Sequence, residues 1–338
     1  MFDRGEDDGA VFDDRFLELH EHGNPATAGP VSVLHNISLD IRPGEVVGVV
    51  GESGSGKSVT ALQIARLLPD GQVIIDSGSI KLAGEDILSA SSREMNNLRG
   101  SVIGFVFQEP MTALNPTMTV GNHLALAFRR HTGCSRTEAR RRAIEALDEV
   151  QINNADVVAD QFPFELSGGM LQRVVIALAM SGRPALLIAD EPTTALDVTV
   201  QAEILTLIRK LASEHGTSVL FVSHDLAVVS ELCQRVFVFY GGEMIEHGSA
   251  AEILHRPRHP YTKALLAALP RVAGDKGLHS IPGEPPDPHQ PPTGCIFLSR
   301  CPVSFARCMA KPPQFEVQEG HSVACWLSEQ EANGPTDL

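Results

Sequence analysis

Short runs of apolar, often β-branched residues punctuate the chain, and most give way to a stretch with helical spacing. Val46 to Val50 is interrupted only by Gly48 and reads as a buried strand, and Val59 to Leu68 then carries a helical pattern. Phe16 to His20 and Val33 to Ile41 predict two earlier strands, separated by the polar, Gly- and Pro-containing loop His22 to Pro30. Gly78 to Ala83, Val102 to Phe107, Ala185 to Asp190 and Ser218 to Ser223 predict four more. From Pro110 to Phe164 the pattern turns helical, with Ala143, Ile144, Leu147 and Val150 on one face of a basic helix over Ser135 to Val150. That stretch predicts an all-helical subdomain, about residues 110–175, inserted in an α/β core; a run of core helices is the plainer alternative. Strands alternating with helices predict a mostly parallel sheet with ligands at the strand C-termini. Beyond Ala250 the texture changes: Ala264 to Leu269 closes a helix, and Pro270 to Pro292 reads as a linker or irregular loop. Residues 1–14 read as a flexible acidic tail.

Composition narrows the function. The formal charge of −15 argues against broad nucleic-acid or anionic-lipid binding. No apolar run approaches the roughly 18–20 residues that cross a bilayer. Met1-Phe2-Asp3-Arg4-Gly5-Glu6-Asp7-Asp8 lacks the apolar core of a secretory signal, so the expectation is a cytosolic chain. Cysteines in that compartment are reduced or metal-bound.

The densest chemistry lies at Gly51-Glu52-Ser53-Gly54-Ser55-Gly56-Lys57-Ser58, which fits G-x-x-x-x-G-K-[ST] between a strand and a helix. Glycines let consecutive N–H groups curl around a polyphosphate, and the helix N-terminus adds partial positive charge. Lys57 is expected on the β- and γ-phosphates and Ser58 on Mg²⁺. Leu166-Ser167-Gly168-Gly169-Met170 opens a second phosphate-ready helix, a pattern that ordinary loops also show. Asp190 and Glu191 end an apolar strand, where Asp190 suits Mg²⁺ and Glu191 suits the proton of an attacking water; two solvated turn acids are the bland alternative. Gln108 and His224 also stand at strand ends; Gln108 suits Mg²⁺ and the lytic water, and His224 suits the γ-phosphate or the attacking water, with a structural histidine as the plainer alternative. Cys295-x5-Cys301-Pro302-x5-Cys308-x16-Cys325 bunches four thiols that suit Zn²⁺ or a [4Fe–4S] cluster, although the C-x2-C pairs common in zinc sites are missing.

GESGSGKS, Gln108, LSGGM, LLIADEP, TALD (Thr194 to Asp197) and His224, in this order, resemble the nucleotide-binding subunit of an ABC transporter over roughly residues 16–250. The resemblance implies an ABC ATPase at 15–250, with Gly51 to Val59 binding ATP and Mg²⁺ held by Ser58, Gln108 and Asp190. It further implies catalysis by Glu191, His224 and Gln108, a head-to-tail partner whose ATP meets Ser167, Gly168 and Gly169, and Asp197 at that interface. QEPMTALNP, LSGGMLQR, IADEPTTALDVTVQAEIL and HRPRHPYTKALLAALP resemble the oligopeptide/dipeptide/nickel importer branch, which makes 251–338 a C-terminal extension. For members with this cysteine pattern the branch implies an iron–sulfur cluster on Cys295, Cys301, Cys308 and Cys325. The implied role is to power peptide import from the cytoplasmic face of the membrane. The implied partners are a second ATPase subunit, two permeases and an extracytoplasmic solute-binding protein, with no nucleic acid. The rivals are nickel or metal-chelate import, a soluble non-transport ABC ATPase, and a module whose cysteines sense redox state or iron. One departure stands out: His20 to Val33 offers His20 and His22, but no Tyr, Phe or Trp, to stack on adenine.

Overall fold

The computed structural model describes residues 10–19, 31–69, 73–194, 196–268, 280–290 and 292–329. In chain order the strands are β1 (Ala10–Leu19), β2 (Val31–Ile41), β3 (Val46–Val50), β4 (Val73–Leu82), β5 (Glu85–Asp86), β6 (Ile103–Val106), β7 (Leu186–Asp190), β8 (Ser218–Ser223), β9 (Arg235–Tyr240), β10 (Glu243–Ser249), β11 (Phe315–Gln318) and β12 (His321–Val323). The helices are α1 (Lys57–Ile64), α2 (Ser92–Leu98), α3 (Val120–Thr132), α4 (Arg136–Glu149), α5 (Ala155–Val158), α6 (Gly168–Met180), α7 (Val198–His215), α8 (Leu226–Leu232), α9 (Ala250–His255) and α10 (Pro260–Ala267). The described residues fall into two compact units, one drawn from 1–40, 46–88 and 222–338, the other from 41–45 and 89–221.

In the first unit β3 runs parallel to β9, pairing Val47 with Arg235 through Val50 with Val238. β3 is buried at every position, as a strand covered on both faces must be. Gly48 allows α8 to cross close by: a Cβ there would stand 2.2 Å from Val229 Cγ1. Beyond β9 the order continues through β10 and β12 to β11, all antiparallel. A second sheet in this unit has the order β2-β1-β4-β5.

The second unit carries β8, β7 and β6 in that order, with β6 parallel to β7. Its helices follow the expected pattern. Ser135 caps α4 by accepting from the Glu138 N–H, and Ala143 and Leu147 are buried on one face. Gly182 lets the chain after α6 pass against the Gly100 backbone, where a Cβ would fall 1.8 Å from the carbonyl oxygen.

One expectation needs correction, and two elements were not expected. The strand expected to open at Phe16 begins at Ala10, inside the expected acidic tail, because the backbone from Phe12 to Leu19 is paired with Ile80 to Val73 of β4. Arg235 to Ser249 forms a hairpin that strand reading passed over, although the buried run Val236 to Tyr240 before Gly241-Gly242 is a hairpin signal. The cysteine-bearing tail, for which no strands were expected, contributes β11 and β12 to the first unit's sheet. His20, His22 and the expected loop His22 to Pro30 lie outside the described residues, as do 1–9 of the acidic tail and residues 270–279 and 291 of the Pro270 to Pro292 stretch.

Glu246, wholly buried in β10, ties that tail down. Its carboxylate accepts from the backbone N–H of Arg258 at 2.7 Å and of His259 at 3.0 Å, and pairs with His321 Nε2 on β12 at 2.9 Å. Burial alone would raise this carboxyl; the His321 ring and the two N–H groups outweigh it and hold the group below its ordinary value. His259 caps α10, its Nδ1 accepting from the Tyr261 N–H at 3.0 Å, and burial pushes the ring down to about 4. An unfolded histidine takes its proton near 6.5, so protonation favours the unfolded chain between about 6.5 and 4. Stability is therefore complete above the unfolded value and is lost on acidification, by roughly 3 kcal/mol from this group. Glu246 adds to the loss at lower pH, since its stabilisation is present above its unfolded value and disappears as it protonates. Melting temperature followed from about pH 7.5 to about pH 4 is expected to fall across this window, and to fall less in His259→Asn, whose amide can still cap the helix.

Candidate functional site

The first unit holds the glycine loop. β3 ends at Val50, and Gly51 turns the chain at φ 156°, lying so close to β9 that a Cβ would sit 2.2 Å from the Phe239 carbonyl oxygen. Gly54 and Gly56 also take positive φ, at 78° and 96°, and Gly56 caps α1 in a left-handed conformation that an L side chain resists. Lys57 folds back over the loop, its Nζ donating to the carbonyls of Gly51 and Glu52, each at 2.8 Å. Ser55 Oγ is buried and unpartnered, a polar atom inside a cradle of backbone amides. Ser53 is exposed and Ser58 and Val59 half-buried at the start of α1. His224, just past β8, belongs to this unit and is exposed.

Glu52 joins the loop to the C-terminal extension. Its N–H donates to the Tyr261 hydroxyl at 2.8 Å, and its carboxylate accepts from Arg300 Nη1 at 2.7 Å and Nη2 at 3.1 Å. Neither Arg300 nor Tyr261 stands out in the sequence, because a contact spanning some two hundred residues has no local signature.

The second unit holds the carboxylates. Asp190 closes β7 and is buried, and Glu191 follows at φ 45°, a conformation costing a non-glycine residue about 1–3 kcal/mol. Gln108 Nε2 donates to Glu191 Oε2 at 3.2 Å, and Thr194 Oγ1 donates to the same oxygen at 2.9 Å. Gln108 and Glu191, expected separately, therefore meet. Thr194 appeared in the sequence only as part of a motif, with no role assigned. Ser167 caps α6, accepting from the Met170 N–H at 3.3 Å, and Asp197 caps α7, accepting from Val200 at 3.0 Å. Ser167, Gly168 and Asp197 are exposed, Gly169 is half-buried, and Val198 beside Asp197 is 83% exposed.

Cys295, Cys301, Cys308 and Cys325 all line one cavity in the first unit, with Phe297, Trp326 and His259 among its other walls. About 10 Å³ is free inside, close to the minimum for a single water. All four are free thiols. Burial pushes Cys295 up to about 11 and raises Cys301 and Cys325, and neighbouring thiols add to each shift. The four cysteines are brought together as expected, yet among the described residues no three His, Cys, Asp or Glu side chains are grouped so as to hold a metal ion.

Comparison with known proteins agrees with this geometry. The family model described as "ABC transporter" matches residues 34–194, and "Oligopeptide/dipeptide transporter, C-terminal region" matches 245–308, which includes three of the four cysteines. The chain is 50% identical over 309 residues to the probable D,D-dipeptide transport ATP-binding protein DdpD of Escherichia coli K12, covering 91% of this chain and 94% of that one. It is 45% identical to the oligopeptide transport ATP-binding protein OppD of Bacillus subtilis 168, covering 90% and 86%. Among solved structures it is similar to a dimeric post-hydrolysis state of the ATP-binding cassette MJ0796 bound to ADP and Pi. That match has a TM-score of 0.62 at 30% identity, over 71% of this chain and 98% of the other.

The Gly51 contact generates a direct test. Gly51→Ala forces Cβ into the Phe239 carbonyl, so the loop must shift. Binding of a nucleoside triphosphate, measured by equilibrium titration, is expected to weaken by about tenfold or more, while the melting temperature moves by only a few degrees.

Proposed function

The chain belongs to the ATP-binding subunits of ABC transporters, in the branch with the oligopeptide/dipeptide C-terminal region, and on that premise we propose that it powers the import of di- or oligopeptides by hydrolysing ATP. The observation that carries the chemistry is the cluster of Gln108 and Thr194 on one oxygen of Glu191, at the end of a buried strand. Two donors fix the plane of that carboxylate, which is what a group positioned to take a proton from water requires. Lys57 and the amides of Gly51 to Val59 would bind the triphosphate; Ser55, buried without a partner, and the side-chain-free approach at Gly51 support a cradle of that kind. Ser58, Asp190 and Gln108 are oxygen donors of the type Mg²⁺ takes, and the ion would neutralise charge on the phosphates. His224 is the proposed contact to the γ-phosphate.

One glycine loop and one Ser167-Gly168-Gly169 segment per chain support action with a second ATPase subunit, a copy or a homologue. The exposure of Ser167, Gly168, Asp197 and Val198 supports the same reading. No described helix is long and apolar enough to cross a membrane, so the proposed place is peripheral, docked to two permease subunits on the cytoplasmic face and supplied by a solute-binding protein. Exposed Met111 in the QEPMTALNP segment, with Leu126, Val157 and Phe164 in the helical stretch after it, supports docking there. The proposed boundaries remain 15–250 for the ATPase, with the helical subdomain at about 110–175, and 251–338 for the extension.

Four thiols are the donor type that a [4Fe–4S] cluster takes, and zinc is the alternative; the thiols would have to regroup to hold either, and those above their ordinary values would release protons on binding. Two tests follow. Glu191→Gln is expected to lower ATP turnover by about 10²–10⁴-fold with ATP binding retained, read as phosphate release and equilibrium titration. Anaerobically purified protein is expected to carry iron and sulfide with absorbance near 400 nm (about the region of thiolate-to-iron charge transfer), lost in Cys295→Ser. Zinc alone would make the cavity a structural clip, and reconstituted uptake with peptide against nickel separates the two cargo classes.

A further inference from the structure

Glu52 is the only acid in a loop that otherwise consists of Gly, Ser and Lys. An unneutralised carboxylate beside a bound triphosphate would oppose binding by charge repulsion. Here that carboxylate is neutralised from the C-terminal extension. Arg300 lies one residue before Cys301 and its side chain is only 4% exposed, against 25% for Glu52. All five of its N–H donors are engaged: Nε with the Pro282 carbonyl, Nη1 with Glu52 and the Tyr240 hydroxyl, and Nη2 with Glu52 and the Ile281 carbonyl. Gly283, at φ 82°, packs against its stem, with a Cβ position 3.2 Å from Arg300 Cγ. A lysine could fill neither the fork geometry nor the donor count.

Tyr261 acts on the same residue from α10. Its hydroxyl accepts the Glu52 N–H, while Lys57 donates to the Gly51 carbonyl, so the peptide joining Gly51 to Glu52 is held at both ends. Phe297 packs edge-on against Tyr240 at 5.2 Å and Tyr261 at 5.5 Å, and the same Phe297 forms a wall of the cysteine cavity. One contiguous set of contacts therefore runs from the four thiols to the phosphate loop.

We propose that Arg300 and Tyr261 are positioning residues for ATP: the extension neutralises Glu52 and clamps its peptide, presenting the loop in the form that accepts a triphosphate. The inference rests on the nucleotide reading above. It assigns the extension a role in ATP binding separate from cargo, permease docking or any metal.

The test uses the full-length chain and four variants: Arg300→Met, Arg300→Lys, Tyr261→Phe, and the double variant Glu52→Gln with Arg300→Met. Arg300→Met is expected to raise KM for ATP and the ATP dissociation constant by roughly tenfold or more with a smaller change in kcat, and Arg300→Lys to recover little of it. The double variant removes the uncompensated charge and is expected to regain most of the lost affinity, a rescue that lost packing would not give. Tyr261→Phe keeps the ring packing and is expected to raise KM several-fold at unchanged melting temperature. ATP bound equally well by wild type, Arg300→Met and Tyr261→Phe overturns the clamp and leaves the ATPase reading standing. Absence of rescue in the double variant overturns the neutralising role. Wild type that binds no ATP overturns both readings.

Discussion

Everything at the nucleotide end of the first unit depends on how closely one backbone can lie on another. β3 delivers Gly51 against the Phe239 carbonyl of β9 with no room for a side chain, and the loop's path from there to Gly56 follows from that contact. The conformational cost of positive φ at three glycines is met by burying β3 completely and by engaging the Lys57 ammonium on two carbonyls. A loop held by its own lysine is ordered before a ligand arrives, so less entropy is lost when the lysine exchanges those carbonyls for a phosphate.

The second unit solves a different problem with similar means. A carboxylate meant to take a proton must be oriented without being neutralised. Glu191 accepts from two neutral donors, Gln108 and Thr194, on one oxygen. Its left-handed backbone places strain at the same residue that carries the proposed chemistry. Glu52, by contrast, is paired with a full positive charge. Two glutamates of one chain thus keep different company, one beside neutral donors and one beside a guanidinium.

Much of this was legible in the sequence wherever the information is local. The glycine spacing before Lys57, the apolar run into Asp190, and the helix start at Ser167 all act within a few residues of themselves. The C-terminal strands were not, because β11 and β12 are short and exist only by pairing onto β10, some seventy residues earlier. The tail's start was misread for a similar reason: Asp13 and Asp14 suggest disorder, while β4 supplies the hydrogen bonds that make the segment a strand. Arg300 and Tyr261 were invisible since nothing in a lone arginine or tyrosine announces the acid that it serves. The four cysteines were legible as a group, and the structure adds that they share one cavity without standing as preformed ligands.

The return of the chain at β12 and β11 also has a colloidal consequence. A sheet ending at β10 would present an open row of N–H and C=O groups, a template on which a second molecule could add strands. β12 covers that row, and the new border is the four-residue β11, too short and too charged at Glu316 to invite stacking. The extension that reaches the phosphate loop therefore also seals the flank of the sheet, and a chain cut before Phe315 would be exposed to self-association as well as to loss of its cysteine cavity.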